Sequence, residues 1–323
     1  MGTSSRLLQY LLLLATGTSW GLTNPLTKVA VSTGYGPLGL IFWQLSIILI
    51  VSGALIAVMR WRIPMSRHHL LLLFGISLVG TLIPDFLLYT AAAHIPAGIL
   101  AIVNAMIPMF SLPVALLLGF ERFAPLRLLG ALLGMASIVL MVAPQTSLPD
   151  TAESAFVLVA VFAVVFYAMQ GNFMTWYGTR GMNAVQLLFG SSLIGLVLVT
   201  PAMIASGQFV SPFVPWTGVE WAILGTGSLH GLAYTGFFVL VGRSGPVFAS
   251  QVAYIVTATG VFWSILLLSE QYSGWVWSAF GLTMIGIALV QPHGRDTGAA
   301  PGATVSGAPG SGPPIVPGAG PSG

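Results

Sequence analysis

Long apolar runs, separated by short polar interruptions, follow one another along the chain as far as residue 290. A membrane-spanning helix needs about twenty mostly apolar residues, and division of the chain at charges, prolines and Gly/Ser clusters leaves ten such segments. The predicted spans are Leu7–Val31, Pro37–Met59, Leu70–Ala93, Ala97–Phe120, Leu126–Ala143, Ser154–Tyr177, Ala184–Ser206, Val219–Val241, Pro246–Ser269 and Gly274–Val290. The short connections predict one all-α integral membrane bundle of ten transmembrane helices.

The composition agrees with this prediction and excludes several other classes of protein. Hydrophobic residues make up 56% of the chain and charged residues 5%, whereas soluble proteins carry about 25% charged residues. The chain has no cysteine, which excludes disulfide frameworks, thiolate nucleophiles and iron–sulfur sites. Its ten basic residues are too sparse for a nucleic-acid-binding face. No P-loop of an ATP-driven pump is present, and we predict no cofactor and no metal.

The arginines predict the orientation of the chain, because short loops rich in arginine and lysine stay on the cytoplasmic side. With ten spans and the N-terminus inside, every arginine falls on that side: Arg6, Arg60, Arg62, Arg67, Arg122, Arg127, Arg180, Arg243 and Arg295. Lys28 lies near the outer end of the first span. We therefore expect a multi-pass inner-membrane protein with both termini in the cytoplasm. Half of residues 292–323 are Gly or Pro, which predicts a disordered cytoplasmic tail.

The two halves of the chain share one pattern. Four positions recur at a constant offset of 145 residues: Gly80, Thr81, Tyr89 and Thr90 match Gly225, Thr226, Tyr234 and Thr235. Segments 96–121 and 245–270 match at an offset of 149 residues, and each ends in a glutamate. These matches predict a duplicated five-helix unit, with the first repeat in 1–143 and the second in 144–291.

An odd number of helices in each unit has a geometric consequence. The second copy must begin on the opposite side of the membrane from the first, so the chain is predicted to contain two inverted five-helix repeats. Inverted repeats that meet at a site near the membrane midplane are typical of secondary transporters, which work by alternating access. The pattern therefore indicates a transporter of a small-molecule substrate within the lipid bilayer.

Short motifs add to this pattern: Trp20-Gly21 with Asn24, Pro25 and Lys28, the Ile95-Pro96-Ala97 entry to the fourth span, and the run from Pro108 to Glu121. Over about residues 7–290 the chain resembles the EamA family of ten-helix transporters in the drug/metabolite transporter superfamily. The resemblance implies export of amino acids or related metabolites through a central cavity lined by aromatic side chains. Many family members carry an arginine in the second span where this chain reads Phe42-Trp43-Gln44, so any role of that arginine is absent or altered here.

Asp85 is the one acid in the interior of a predicted span, and it directly follows Pro84. A charged side chain at the centre of a membrane helix costs about 2.5 to 3.5 kcal/mol, so Asp85 is expected to face protein or water. Pro84 cannot donate a hydrogen bond to the Gly80 carbonyl, which loosens the helix beside the acid. The offset of 145 residues pairs Asp85 with His230, the one histidine in the middle of a span.

These two residues are the leading site candidates. Asp85 could attract a substrate ammonium or carry a coupling proton, and His230 could titrate or donate to a carboxylate. The alternative is that both only hold the bundle together. Helix rise places them roughly 14 Å apart along the membrane normal, so a direct salt bridge between them is not expected.

Aromatic and amide side chains within other spans form a second set of candidates. Trp and Tyr at span ends usually form an interfacial belt, but several here lie inside the spans, and Trp20 corresponds to Tyr167 across the repeats. Amides can line a cavity or bond across helices only to pack them. The predicted cavity-lining residues are Trp20, Asn24, Gln44, Tyr89, Asn104, Tyr167 and Tyr234.

Small residues spaced four apart, such as Gly130 and Gly134, predict close helix packing. The terminal helices of each unit are rich in this spacing and could also support a homodimer. Two functional alternatives stay open at this point. An uncoupled facilitator or channel shares the architecture but needs no titratable group, so its flux would not depend on a proton gradient. A membrane-embedded enzyme would need clustered acid–base or metal-binding residues, and no such motif is present.

Overall fold

The computed structural model describes residues 3–121, 123–142, 151–244, 246–249 and 251–290, and these residues form helices joined by short connections. The predicted tail lies outside the described residues. The helices are α1 Thr3–Val31, α2 Pro37–Met59, α3 Arg67–Ser77, a π-helical segment Leu78–Leu82, α4 Ile83–His94, α5 Ala97–Asn104, α6 Ile107–Leu117, α7 Pro125–Val142, α8 Thr151–Tyr177, α9 Ala184–Ala205, α10 Gly218–Ser244, α11 Pro246–Ala249, α12 Val252–Leu268 and α13 Gly274–Val290.

The helices confirm the all-α membrane architecture. Within the described ranges, six segments are long and apolar enough to cross a membrane: Pro37–Met59, Arg67–His94, Ala97–Leu117, Pro125–Val142, Glu153–Tyr177 and Ala184–Ala205. Two shorter apolar helices, Val252–Leu268 and Gly274–Val290, follow. The protein is therefore a multi-pass membrane protein.

Proline accounts for two differences from the predicted spans. The third span is not a regular α-helix, because its middle is the π-helical segment that ends just before Pro84. The fourth span was predicted as one helix but consists of α5 and α6, with Pro108 in the first turn of α6. Proline has no N–H for the preceding turn, so each helix changes its hydrogen bonding there. The fourth span also ends at Leu117 rather than Phe120, and Gly119 follows in the left-handed region at φ 72°.

Helices from the two halves of the chain pack against one another. Helix α1 contacts α10 and α12, α2 contacts α9, α4 contacts α8, and α7 contacts α13. Glycine permits the closest approach, since a Cβ on Gly21 of α1 would lie 2.2 Å from Thr259 Oγ1 and 2.9 Å from the Gly260 nitrogen of α12. The middle of the bundle is thus built from both halves.

Two of the small residues on the terminal helix of the first unit pack within the chain. A Cβ on Gly130 would lie 2.7 Å from the Gly286 carbonyl oxygen of α13, and one on Gly134 would overlap the Met109 side chain. Close packing of glycine faces is the usual way in which membrane helices associate. Because α7 and α13 present these faces to their own neighbours, the two glycines are not available to a second copy.

Candidate functional site

Asp85 lies in the first turn of α4 and is 5% exposed. Its Oδ2 atom accepts a hydrogen bond of 2.9 Å from Gln44 Nε2 of α2. Its Oδ1 atom accepts a short hydrogen bond from the Tyr167 hydroxyl of α8. The carboxylate therefore joins three helices, and one of its two donors belongs to the other half of the chain.

Gln44 has one favourable orientation in this network while Asp85 is charged. The Tyr89 hydroxyl donates to Gln44 Oε1 through another short hydrogen bond, so the amide oxygen is occupied and the amide nitrogen points to Asp85. Both Gln44 and Tyr89 are buried. Tyr89 is one turn beyond Asp85 on α4, which places both at the same helix face. Four predicted site residues are thus brought together: Asp85, Gln44, Tyr89 and Tyr167.

The donors to Asp85 carry no charge. In the described ranges the hydrogen bonds to its carboxylate come from an amide and a phenol. Lys28, the one lysine of the chain, is on α1. Its ammonium donates to the carbonyl oxygens of Ala92 and Ala93, at the end of α4, at 2.9 and 3.2 Å. A buried carboxylate with neutral donors is costly to keep charged. The site therefore favours uptake of a proton or of a cationic group.

The π-helical segment lies against α8 beside the acid. A Cβ on Gly80 would come within 2.2 Å of the Gln170 side chain, one turn beyond Tyr167. A side chain at this position would therefore require the Gln170 side chain to move. Single π-helical turns inside α-helices are frequent at functional sites. The sequence pointed to a loosened helix near Pro84, but it contained no signal for the π-helix itself.

His230 lies in a separate aromatic cluster between α1 and α10. Its ring centroid is 5.8 Å from that of Trp20 and 5.0 Å from that of Tyr234, and the Trp20 and Tyr234 rings are 4.9 Å apart. All three side chains are half-buried. No ion pair joins Asp85 to His230 in the described part of the chain.

Asn24 and Asn104 form a third group of predicted residues. Asn104 Nδ2 donates to Asn24 Oδ1 at 3.2 Å, and Asn24 Nδ2 donates to the Gly21 carbonyl at 3.3 Å. Asn172, which corresponds to Asn24 in the second repeat, donates to the Ser111 hydroxyl at 2.9 Å. Asn24 and Asn172 thus both bond to the fourth span of the chain, which consists of α5 and α6. These contacts fit helix packing as well as they fit a cavity wall.

Glu270 is a functional candidate that the sequence did not single out. Its carboxylate accepts hydrogen bonds from the backbone nitrogens of Ala97 and Gly98 at 2.8 and 3.1 Å, and another from the Tyr272 hydroxyl. Burial, followed by this hydrogen bond, raises the pKa of Tyr272, so the phenol stays a donor. A residue of the second repeat therefore caps α5 of the first. The recurring glutamates at 121 and 270 were the available signal.

The family model described as the EamA-like transporter family matches residues 7–143 and again 154–291. Proteins named "Uncharacterized inner membrane transporter YedA", from Escherichia coli strain K12 and from Escherichia coli O157:H7, are each 25% identical to this chain over 205 residues. The match covers 62% of this chain and 64% of each relative, which is less than two thirds of their length.

A solved crystal structure has the same fold. It matches 90% of this chain and 98% of its own, with a TM-score of 0.57 and 20% sequence identity. The double match to one family model confirms the predicted duplication.

Proposed function

The chain belongs to the EamA-like transporter family of the drug/metabolite transporter superfamily, and we propose that it exports a small amphipathic metabolite, such as an amino acid, by alternating access. The substrate and the coupling proton would compete for Asp85. The supporting observation is that this buried carboxylate receives hydrogen bonds from both repeats, all from neutral donors. Either a proton or a substrate ammonium would neutralise it.

Tyr167 is proposed to couple the protonation of Asp85 to the position of the second repeat. A phenol can either donate or accept a hydrogen bond, but the Gln44 amide nitrogen can only donate, and Tyr89 already occupies its oxygen. When Asp85 gains a proton, the Tyr167 hydroxyl can reverse its role without any rotation of the Gln44 amide. The contact between α4 and α8 would then change with the loading of the site, which is what alternating access requires.

The aromatic cluster is proposed to hold the apolar part of the substrate. Trp20, His230 and Tyr234 are half-buried near the middle of their helices, and their ring centroids lie 4.9 to 5.8 Å from one another. Aromatic side chains bind apolar groups and also attract cations over their faces. A substrate with an ammonium group and an apolar body would therefore meet matching chemistry at both groups.

The decisive experiment measures flux into proteoliposomes with and without an imposed proton gradient. The substrate would first be found by a thermal-shift screen of amino acids, nucleobases and small amines, since a ligand of the folded state raises its apparent stability. Substrate flux through the wild-type protein should depend on the proton gradient, and the Asp85→Asn variant should show no flux. Glu121→Gln is the matched control, because Glu121 is exposed and pairs with Arg127. Flux that ignores the gradient in the wild type would instead support an uncoupled facilitator or channel.

The proposed location is the inner membrane, and the proposed orientation has both termini in the cytoplasm. The absence of cysteine allows a direct test with single cysteines in exposed connections, at Phe213 on the predicted outer side and Thr179 on the inner side. A membrane-impermeant maleimide should label intact cells at Phe213→Cys and not at Thr179→Cys. The reverse pattern would invert the proposed orientation.

A further inference from the structure

Two connections that are far apart in the sequence form one surface. The connection from α2 to α3 meets the connection from α8 to α9, and we call residues 60–69 and 177–186 the basic corner. His69 Nε2 lies 3.1 Å from the Arg180 carbonyl oxygen, and Gln186 Nε2 donates to the Arg62 carbonyl oxygen at 2.6 Å. The two segments are 111 to 124 residues apart along the chain at these contacts.

The basic corner has a positive charge of its own. It contains four exposed arginines and no aspartate or glutamate: Arg60, Arg62, Arg67 and Arg180. In the described part of the chain the ion pair is between Arg127 and Glu121, outside the corner. The corner therefore carries four like charges on two connections that contact each other, which is unfavourable unless an anion lies among them.

The arginine side chains are not what joins the two connections. The joining contacts come from backbone carbonyls and from His68, His69 and Gln186. The Arg180 guanidinium does lie 4.4 Å from the centre of the Tyr177 ring. Stacking of this kind uses the face of the guanidinium and leaves its N–H groups at the edge free to donate.

The opposite side of the protein provides an internal comparison. The repeat places the connection from α1 to α2 against the connection from α9 to α10, where Tyr35 donates to Glu220 at 2.8 Å and Trp43 Nε1 donates to the Val210 carbonyl oxygen at 2.8 Å. Connections 32–36 and 206–217 contain no arginine or lysine. The same arrangement forms without positive charge, so the fold does not require the four arginines.

Exposed apolar side chains lie beside the arginines. Trp61 is 39% exposed, Met65 64% and Trp176 67%. Tryptophan next to positive charge at a span end is typical of the level of the lipid headgroups. A ligand with an anionic head and an apolar body would contact both kinds of side chain, whereas a soluble anion would contact only the arginines.

We propose that the basic corner binds the phosphate headgroup of an anionic phospholipid. The guanidinium groups bind the phosphate oxygens, and Trp61, Met65 and Trp176 contact the glycerol and the first part of the acyl chains. This surface is separate from Asp85 and goes beyond the proposed transport function. Its presence depends only on the fold and on insertion into a bilayer.

In the test, the purified full chain is placed in mixed micelles that contain phosphatidylglycerol or phosphatidylcholine. Native mass spectrometry then counts the lipids that stay bound to the protein. Phosphatidylglycerol should be retained preferentially. Each arginine near an anionic headgroup contributes about fivefold in affinity, so Arg62→Gln with Arg180→Gln should weaken retention about 30-fold. The double Arg→Lys variant should lose much less, because the charge is kept.

Arg243→Gln is the matched control, since Arg243 is exposed at the end of α10 outside the corner. It should leave lipid retention unchanged. Melting temperatures in phosphatidylcholine alone would show whether each variant is folded. Equal retention of the two lipids by the wild type, or an equal loss in the Arg243→Gln variant, would overturn the proposal. Stabilisation by inorganic phosphate as large as that by phosphatidylglycerol would also overturn it, in favour of a soluble anion.

Discussion

Tyr167, in the second repeat, donates a hydrogen bond to the carboxylate of Asp85, in the first. The two residues are 82 positions apart in the sequence, and their contact joins α8 to α4. Tyr167 matches Trp20 across the repeats, yet Trp20 packs in the aromatic cluster and Tyr167 bonds to the acid. The repeats are similar in fold and different in chemistry.

Tyr167→Phe tests whether this hydrogen bond couples the two repeats. The change removes the donor and keeps the ring, so gradient-driven flux should fall by about ten- to a hundredfold, the value of a hydrogen bond to a charged group. Substrate flux driven only by the concentration gradient of the substrate should persist. Proteoliposome flux measured both ways separates these effects, with the exposed Tyr10→Phe as control. Equal loss of both fluxes would mean that Tyr167 only supports binding.

Gln44→Arg tests whether the neutral character of the site matters. An arginine at this position would pair with the Asp85 carboxylate, because a guanidinium matches a carboxylate in charge and geometry. Cationic ligands that stabilise the wild type in a thermal-shift assay should then lose their effect. Gln44→Leu removes the hydrogen bonds without adding charge and should weaken these ligands less. Undiminished stabilisation of Gln44→Arg by an amine would contradict the proposed role of Asp85.

Gly21→Ala tests the close contact between α1 and α12. The added Cβ would meet Thr259 and the backbone of α12 at 2.2 to 2.9 Å, so the free energy of unfolding should fall by about 1 to 3 kcal/mol. Gly171→Ala, in the open part of α8, meets nothing within 4 Å and is the matched control. Thermal unfolding in detergent measures both. Similar melting temperatures for the two variants would show that α1 and α12 are less closely packed.

Glu270→Ala tests the contact of the second repeat with the start of α5. The two backbone donors at Ala97 and Gly98 would lose their acceptor, which should cost about 1 to 2 kcal/mol of stability, the usual range for a lost helix cap. Glu121→Ala removes an exposed glutamate from the equivalent position and should cost less than about 1 kcal/mol. Chemical or thermal unfolding distinguishes them, and the prediction fails when the two losses are equal.

The sequence was sufficient for the ten spans, the duplication and the choice of Asp85 as a candidate. Apolar runs of span length leave little choice in a bilayer, since backbone polar groups must bond within each helix. An acid inside such a run is costly, so its position alone marks it. The double family match agrees with the repeat read from the recurring residues.

The partners of Asp85 could not be read in the same way. Gln44 and Tyr167 were two of several polar residues within spans, and nothing in their spacing linked them to the acid 41 and 82 residues away. His230 matched Asp85 by repeat offset, but the structure surrounds it with Trp20 and Tyr234 instead. A repeat offset relates positions in two backbones and does not specify which side chains fill the space around them.

Local hydrogen bonding and hydropathy, which are properties of each segment, thus determined the spans, their number and their repeat from the sequence alone. Tertiary packing decided the rest: the π-helix beside α8, the orientation of Gln44, the contact of Glu270 with α5 and the joining of the basic corner. Each of these depends on the distance between segments far apart in the chain. In a membrane, helices of similar apolarity can pack in many pairings, and only close contacts between specific surfaces select one.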